Sequence, residues 1–334
     1  MFYELNQNTP AGTTYNWIYG LSQLYGVKVG FFAIYTDFAD TTHFPSAKES
    51  LKAGEIWIDQ YSMAESISTK IRNLETITEQ EFNYAYTNEL LPAYYNAIGK
   101  KPVALSYAFG NTSFEDYVCP KYLGARNSKG NKDADIGKTD YGVGYGNPAN
   151  IGYSAANFKS KGSSVRWYDR YKSSLSDGID AVSDLIDATM LNGGWLNNFT
   201  HFHSVVDDGN QSTYEQYFQM LAQKNANNEI YFAGWGEAVG YLVYRQIITK
   251  AVMYSPALKP NDQLVIRLET VNSLSIDTDL LQVPISVKFS TVGTPLEGQS
   301  IKSSCHLVSL GGGEYIVEIP YAKYPVAIIE KVSI

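Results

Sequence analysis

Apolar positions recur at two different spacings along this chain, and the change of spacing divides it. Between Thr14 and Leu24, residues Trp17, Ile18, Leu21 and Leu24 lie three or four apart, which predicts an amphipathic helix. Val27–Ile34 (VKVGFFAI) follows as an unbroken apolar run, predicting a buried strand, and Glu55–Asp59 (EIWID) predicts a shorter one. Thr78 with Glu81 forms a capping-box pattern. The helix it opens carries Phe82, Tyr86, Leu90 and Leu91, with a kink or break expected at Pro92. Pro102–Phe109 is the next predicted strand. Asp177–Met190 reads as a helix, Trp195–His203 as a strand, and Thr213 as the cap of a helix through Tyr217 and Leu221. Glu229–Phe232 predicts a last buried strand and Trp235–Val252 a last helix. Strand and helix patterns in alternation predict an α/β fold with mostly parallel strands.

Two stretches depart from this rhythm. Residues 111–165 are rich in Gly, Asn, Lys and Ser, as expected of either a functional lid or a loose insertion. After Ser255 the helical spacing stops. A two-proline stretch, PALKPND, leads into QLVIRLETV, VPISVKFST, SSCHLVSL, EYIVEIP and VAIIEKVSI, which alternate with period two and are punctuated by Gly311–Gly313. The expected organisation is therefore an α/β domain over residues 1–254 and a small β-sandwich over 255–334.

Composition narrows the function. The chain is 44% hydrophobic, enough for a sizeable core, and its net charge of −8 argues against non-specific nucleic-acid binding. Only 18% of residues are charged, and the polar surface draws instead on Asn, Ser, Thr, Gln and 27 tyrosines. Tyrosine and tryptophan present apolar faces with polar edges, which suits sugar handling outside the cytoplasm; the alternative is that many of these rings fill the core. Cys119 and Cys305 form no metal-type cluster, and either a disulfide or two free thiols fits them. No signal-peptide pattern and no apolar run long enough to span a membrane is visible. There is no G-x-S-x-G elbow, and GVGYGN at 142–147 neither follows a predicted strand nor opens a predicted helix.

Six segments, in order, resemble the polysaccharide deacetylase family of NodB-like carbohydrate esterases. They are LSQLYGVKVGFF, AGEIWIDQYSMAE, ALSYAFGN, KYLGARN, GGWLNNFTHFH and EIYFAGWGEAVGYLVYR, and together they cover about residues 1–250. The resemblance implies a distorted (β/α) barrel with its site at the C-terminal strand ends. It also implies removal of an acetyl group from a sugar by water activated on a divalent metal such as zinc. Carried over residue by residue, the family pattern is incomplete here. The positions of its two metal histidines are Asp59 and Met63, and a methionine is a very poor ligand for such an ion. No aspartate precedes Asp37, which leaves Glu4, Asn6 and Asn8 where paired aspartates are expected. The late histidine is matched by His201 or His203, which, as i and i+2 on a strand, share a face.

On this basis His201, His203 and Asp59 are the candidate catalytic residues, and the same three are the ligands if a metal binds. Tyr107, Trp57, Arg126, Trp235 and Glu237 are the candidate substrate contacts, with Ala108 standing where the family has a proline beside its oxyanion site. His43 and His306 are isolated in sequence and expected to be ordinary. Three functions follow. The first is a catalytically degenerate deacetylase-like protein that binds a polysaccharide or oligosaccharide and needs no cofactor. The second is an active metal-dependent esterase with an unusual site. The third is a glycoside hydrolase pairing Glu4 or Asp59 with Glu237, for which the carboxylate separation is decisive. All three place the protein outside the cytoplasm, with no membrane span.

Overall fold

A computed structural model describes residues 2–4, 11–33, 56–61, 65–73, 75–106, 113–118, 121–126, 164–165, 174–192, 197–201, 209–227, 229–271 and 277–332. The chain divides into two compact units, one within residues 1–239 and the other comprising Gly240–Ile334.

The first unit is built on seven parallel strands. In chain order they are β1 (Phe2–Glu4), β2 (Val29–Ala33), β3 (Ile56–Tyr61), β4 (Ala104–Ser106), β5 (Gly124–Arg126), β6 (Ser164–Val165) and β7 (Asn197–His201). Their spatial order is β5-β4-β3-β2-β1-β7-β6, and every pairing is parallel. The expected α/β class is therefore observed as a seven-stranded parallel sheet. Among the described residues no ladder joins β5 to β6.

Helices α1 (Ala11–Tyr25), α2 (Glu65–Arg72), α3 (Glu79–Ala85), α4 (Leu91–Ile98), α5 (Glu115–Val118) and α6 (Leu175–Asn192) lie between these strands in the chain, and α7 (Gln211–Lys224) follows β7. They bury two cores. One joins Ile18 and Leu21 of α1 to Val29, Tyr94, Ile98, Val182, Ile186 and the α7 stripe of Tyr214, Tyr217, Phe218 and Leu221. The other packs Ile67, Ile71, Phe82, Tyr86 and Leu90 around Leu105, Phe114, Tyr122 and Ala125. Much of the tyrosine surplus is thus structural. Tyr94, Tyr122, Tyr214 and Tyr217 are essentially sealed, and Trp17, Tyr217 and Phe218 all set rings within 6.0 Å of Tyr214.

Local chemistry explains where elements start and stop. The Thr78 hydroxyl accepts from the Glu81 N–H, and the Thr78 N–H donates to the Glu81 carboxylate, completing the expected capping box of α3. Pro92 does not break the following helix. Residues Tyr86–Leu90 open into a π-helical turn immediately before α4, so the proline falls in that helix's first turn, where its missing N–H costs least. Gly99, at φ 80, ends α4 in the left-handed region. Leu24 points away from the core that Ile18 and Leu21 enter and is 67% exposed. Thr213 is not a cap: α7 begins two residues earlier, after Asn210. Residues 229–232 join no strand ladder. Ile230 gives its N–H to the Asn225 side chain instead, while Ile230 and Phe232 pack on the first core.

The final helix, α8 (Trp235–Ile247), is shorter than expected. Residues 248–254 are not its continuation but β8 (Ile248–Tyr254), a largely exposed strand with β-branched Ile248, Thr249 and Val252 that pairs with β9 (Gln263–Thr270). All-β structure thus begins before the proline stretch, at β8, within the second compact unit. Beyond β9 come β10 (Ile285–Ser290), β11 (Ile301–Ser303), β12 (His306–Gly311), β13 (Glu314–Ile319) and β14 (Val326–Lys331). They form two antiparallel sheets, β10-β13-β12 and β11-β14-β9-β8. SSCHLVSL, expected as one strand, is shared between both sheets. Ser303 Oγ accepts from the Cys305 N–H and Ser304 Oγ from the Ile328 N–H, so side chains take over the ladder where the chain crosses. The Gly311–Gly313 turn has φ of 85, 61 and 81°, and a Cβ on Gly313 would press on Val292 and Thr291.

Candidate functional site

The two ends of the parallel sheet hold different chemistry. Strand register builds the C-terminal end. Glu4 of β1 is aligned with His201 on β7 and with Phe32 on β2, and Phe32 is aligned with Asp59 on β3. His201, Glu4, Phe32 and Asp59 therefore form one row across four neighbouring strands, in one phase of the pleat. Two residues beyond Asp59, Tyr61 is aligned with Ser106 of β4, and Ser106 with Arg126 of β5. Because the step from Asp59 to Tyr61 is two residues, this second row keeps the same phase. Glu4, Ser106, Arg126 and His201 each end their strand.

Strand spacing sets the distances. At about 4.8 Å between strands, Glu4 and His201 are immediate neighbours, and Glu4 and Asp59 lie about 9–10 Å apart along the row. His201 and Asp59 are three strands apart, about 14 Å. Among the described residues, no group of three or more His, Cys, Asp or Glu side chains is placed to hold a metal.

The N-terminal end is defined by side chains in contact. Lys28 immediately precedes β2, and its ammonium lies 2.5 Å from Glu237 Oε1. The Tyr231 hydroxyl donates to the same oxygen at 3.2 Å, and the Gly234 N–H donates to Oε2 at 3.2 Å. Glu237 thus closes the first turn of α8 as the third residue of a capping box does, with both oxygens engaged. Lys100, in the connection leading to β4, feels the same group. Desolvation first and the Lys28 charge second push its pKa down, and Glu237 pulls it back up. Trp235 and Glu237 are both buried.

This geometry separates the sequence candidates. It brings Asp59, His201 and Arg126, with Trp57 two residues before Asp59 on β3, to one sheet, and their row or its pleat repeat reaches the C-terminal end. It does not bring Glu237 there. β2 rises about 16 Å from Lys28 to Ala33, so a carboxylate bound to Lys28 belongs to the opposite end of the sheet. Pairing Glu237 with Glu4 or Asp59 across a C-terminal cleft is therefore not supported. Trp235 and Glu237 open α8 just after residues 229–232, which form no strand of the sheet. Tyr107, Met63, Ala108, His203, His43, Cys119 and the 127–163 stretch lie outside the described residues. Glu4 was legible only as one of three substitutes for an aspartate; its strand is three residues long and carries no alternation signal.

No protein-family model matches the chain, and no curated protein matches it. Solved structures that align with it include a family 4 carbohydrate esterase from Streptomyces lividans in complex with acetate, at 12% identity and TM-score 0.39, covering 68% of this chain and 86% of that one. Another is the Xyl-CE4 domain of a multidomain xylanase from the hindgut metagenome of Trinervitermes trinervoides, at 11% identity and TM-score 0.39, covering 71% and 86%. A third is the peptidoglycan deacetylase PdaC from Bacillus subtilis, at 11% identity and TM-score 0.37, covering 73% and 91%. No described helix is long and apolar enough to cross a membrane.

Proposed function

We propose that this chain is a deacetylase-like protein that binds acetylated polysaccharide or oligosaccharide at the C-terminal end of its parallel sheet, outside the cytoplasm, without metal-dependent catalysis. The observation that carries this reading is the register row His201–Glu4–Phe32–Asp59. It supports the reading because backbone register aligns Asp59 and His201, which the sequence resemblance singles out, in one row with Glu4 and Phe32 toward the C-terminal strand ends. Asp59 and Met63 in place of two histidines favour the loss of a zinc-type centre. Trp57, Tyr107 and Arg126 are the substrate contacts this reading adds, and the all-β unit, read as a small sandwich, is a separate module.

The test has two parts. Acetate release is measured on acetylated chitooligosaccharides and acetylated xylan, with and without added zinc or cobalt, and binding of the same glycans is measured by calorimetry. Binding without metal-stimulated acetate release is expected. Release that depends on metal and is lost in Asp59→Asn would establish the active esterase instead, and absence of any binding would overturn the carbohydrate reading.

A further inference from the structure

Edge strands of the two antiparallel sheets are not alike. The four-stranded sheet ends in β8 and β11, and the three-stranded sheet in β10 and β12. β8 carries exposed Lys250, β10 carries Lys288 and β11 carries Lys302. A lysine on an edge strand discourages further strands from adding, because its charge would have to be desolvated. β12 (HLVSLG) has no lysine, arginine or proline, and its one titratable residue, His306, is already paired with Glu318 at 3.1 Å.

β12 also exposes apolar side chains with no lysine among them, whereas β8, which exposes Met253 and Tyr254, carries Lys250. Leu307 is aligned with fully buried Val317 and so faces the core, which places Val308, aligned with Ile316, on the outer face. Val308 and Leu310 are 40% and 48% exposed, and Val292, beside the Gly311–Gly313 turn, is 58% exposed. Among the described residues, β13 is the only strand that pairs with β12.

We infer that β12 is a self-association edge that pairs antiparallel with β12 of a second copy, joining two three-stranded sheets into one of six. Self-complementarity selects a second copy. A two-fold axis normal to the sheet keeps outer faces together, so Val308 can sit opposite its own symmetry mate. Leu307 then lies opposite Ser309 of the partner subunit, and His306 opposite Leu310 of the partner subunit. No like charges face one another, and the two His306–Glu318 pairs fall about 14 Å apart. The contact is isologous and closes as a dimer. Its short length and the bulge between Ser309 and Gly311 limit it to a weak, concentration-dependent association.

Sedimentation velocity of the full chain across micromolar to submillimolar concentration tests this. A reversible monomer–dimer equilibrium is expected. Val308→Lys sets two ammonium groups against each other at the symmetry axis and is expected to weaken dimerisation about tenfold or more, leaving the thermal melt unchanged; Leu310→Lys serves as the second variant if the first alters folding. A wild-type chain that is monomeric throughout, or a dimer that persists in both variants, overturns the proposal.

Discussion

Two glutamates at opposite ends of one sheet show how differently the same side chain can be employed. Glu237, at the N-terminal end, has both oxygens occupied by Lys28, Tyr231 and the Gly234 N–H. It holds a helix start and a strand start together. Glu4, at the C-terminal end, is set by register beside His201 and in line with Asp59. A carboxylate with all its partners supplied by the fold maintains structure, whereas the acid and imidazole positions aligned toward the C-terminal strand ends are those the proposed glycan site would use. Rank in the sequence does not separate them, because Glu237 lies in one of the longest segments of family resemblance.

The largest expected effect comes from breaking the N-terminal end. Glu237→Ala strands a largely buried Lys28 ammonium and unpairs the Gly234 N–H, and is expected to cost about 3 kcal/mol in denaturant unfolding, with glycan affinity unchanged. The reverse pattern is expected at the other end. Asp59→Asn and His201→Ala should each weaken glycan binding about tenfold, or about 1.4 kcal/mol, measured by tryptophan fluorescence titration, with unfolding changed by less than about 1 kcal/mol. Thr78→Ala calibrates both, since it removes a fully seen cap remote from either set of residues. It should cost about 1 kcal/mol in stability and leave binding alone.

The smallest effect is a pH dependence. Glu81 is drawn from 4.5 down to about 2, first by its hydrogen bond to Lys70, then by those from Thr78. Its folded pKa lies below its unfolded one, so its contribution is complete above the unfolded value and is lost as pH falls from 4.5 toward 2. An NMR titration should place Glu81 well below its ordinary value of 4.5, and Thr78→Ala should move it back up. A Glu81 that titrates normally in the wild type would contradict the capping-box geometry.

Elements with strong periodic signals were legible in the sequence. The Ile18–Leu21 face of α1, the buried run of β2, the Thr78–Glu81 box and the strands after residue 260 all follow from local pattern. What was not legible depends on partners distant in sequence. Residues 248–254 extend a helical pattern but form a strand because β9 offers them a ladder. Residues 229–232 look like a strand but are diverted by the Asn225 side chain. The candidate site was legible in the same uneven way. Resemblance singled out Asp59, His201 and Arg126 and offered Glu4 beside Asn6 and Asn8; register aligns Glu4 with His201, and side-chain contacts tie Glu237 to Lys28 instead.

The most direct test of the central claim is to map where an acetylated oligosaccharide sits. A photoreactive chitooligosaccharide is cross-linked to the full chain and the labelled peptides are identified by mass spectrometry. Labelling in 2–4, 56–61 and 197–201, reduced in Asp59→Asn and retained in Glu237→Ala, is the predicted result. Labelling confined to the Lys28–Glu237 end or to Gly240–Ile334 would contradict the account.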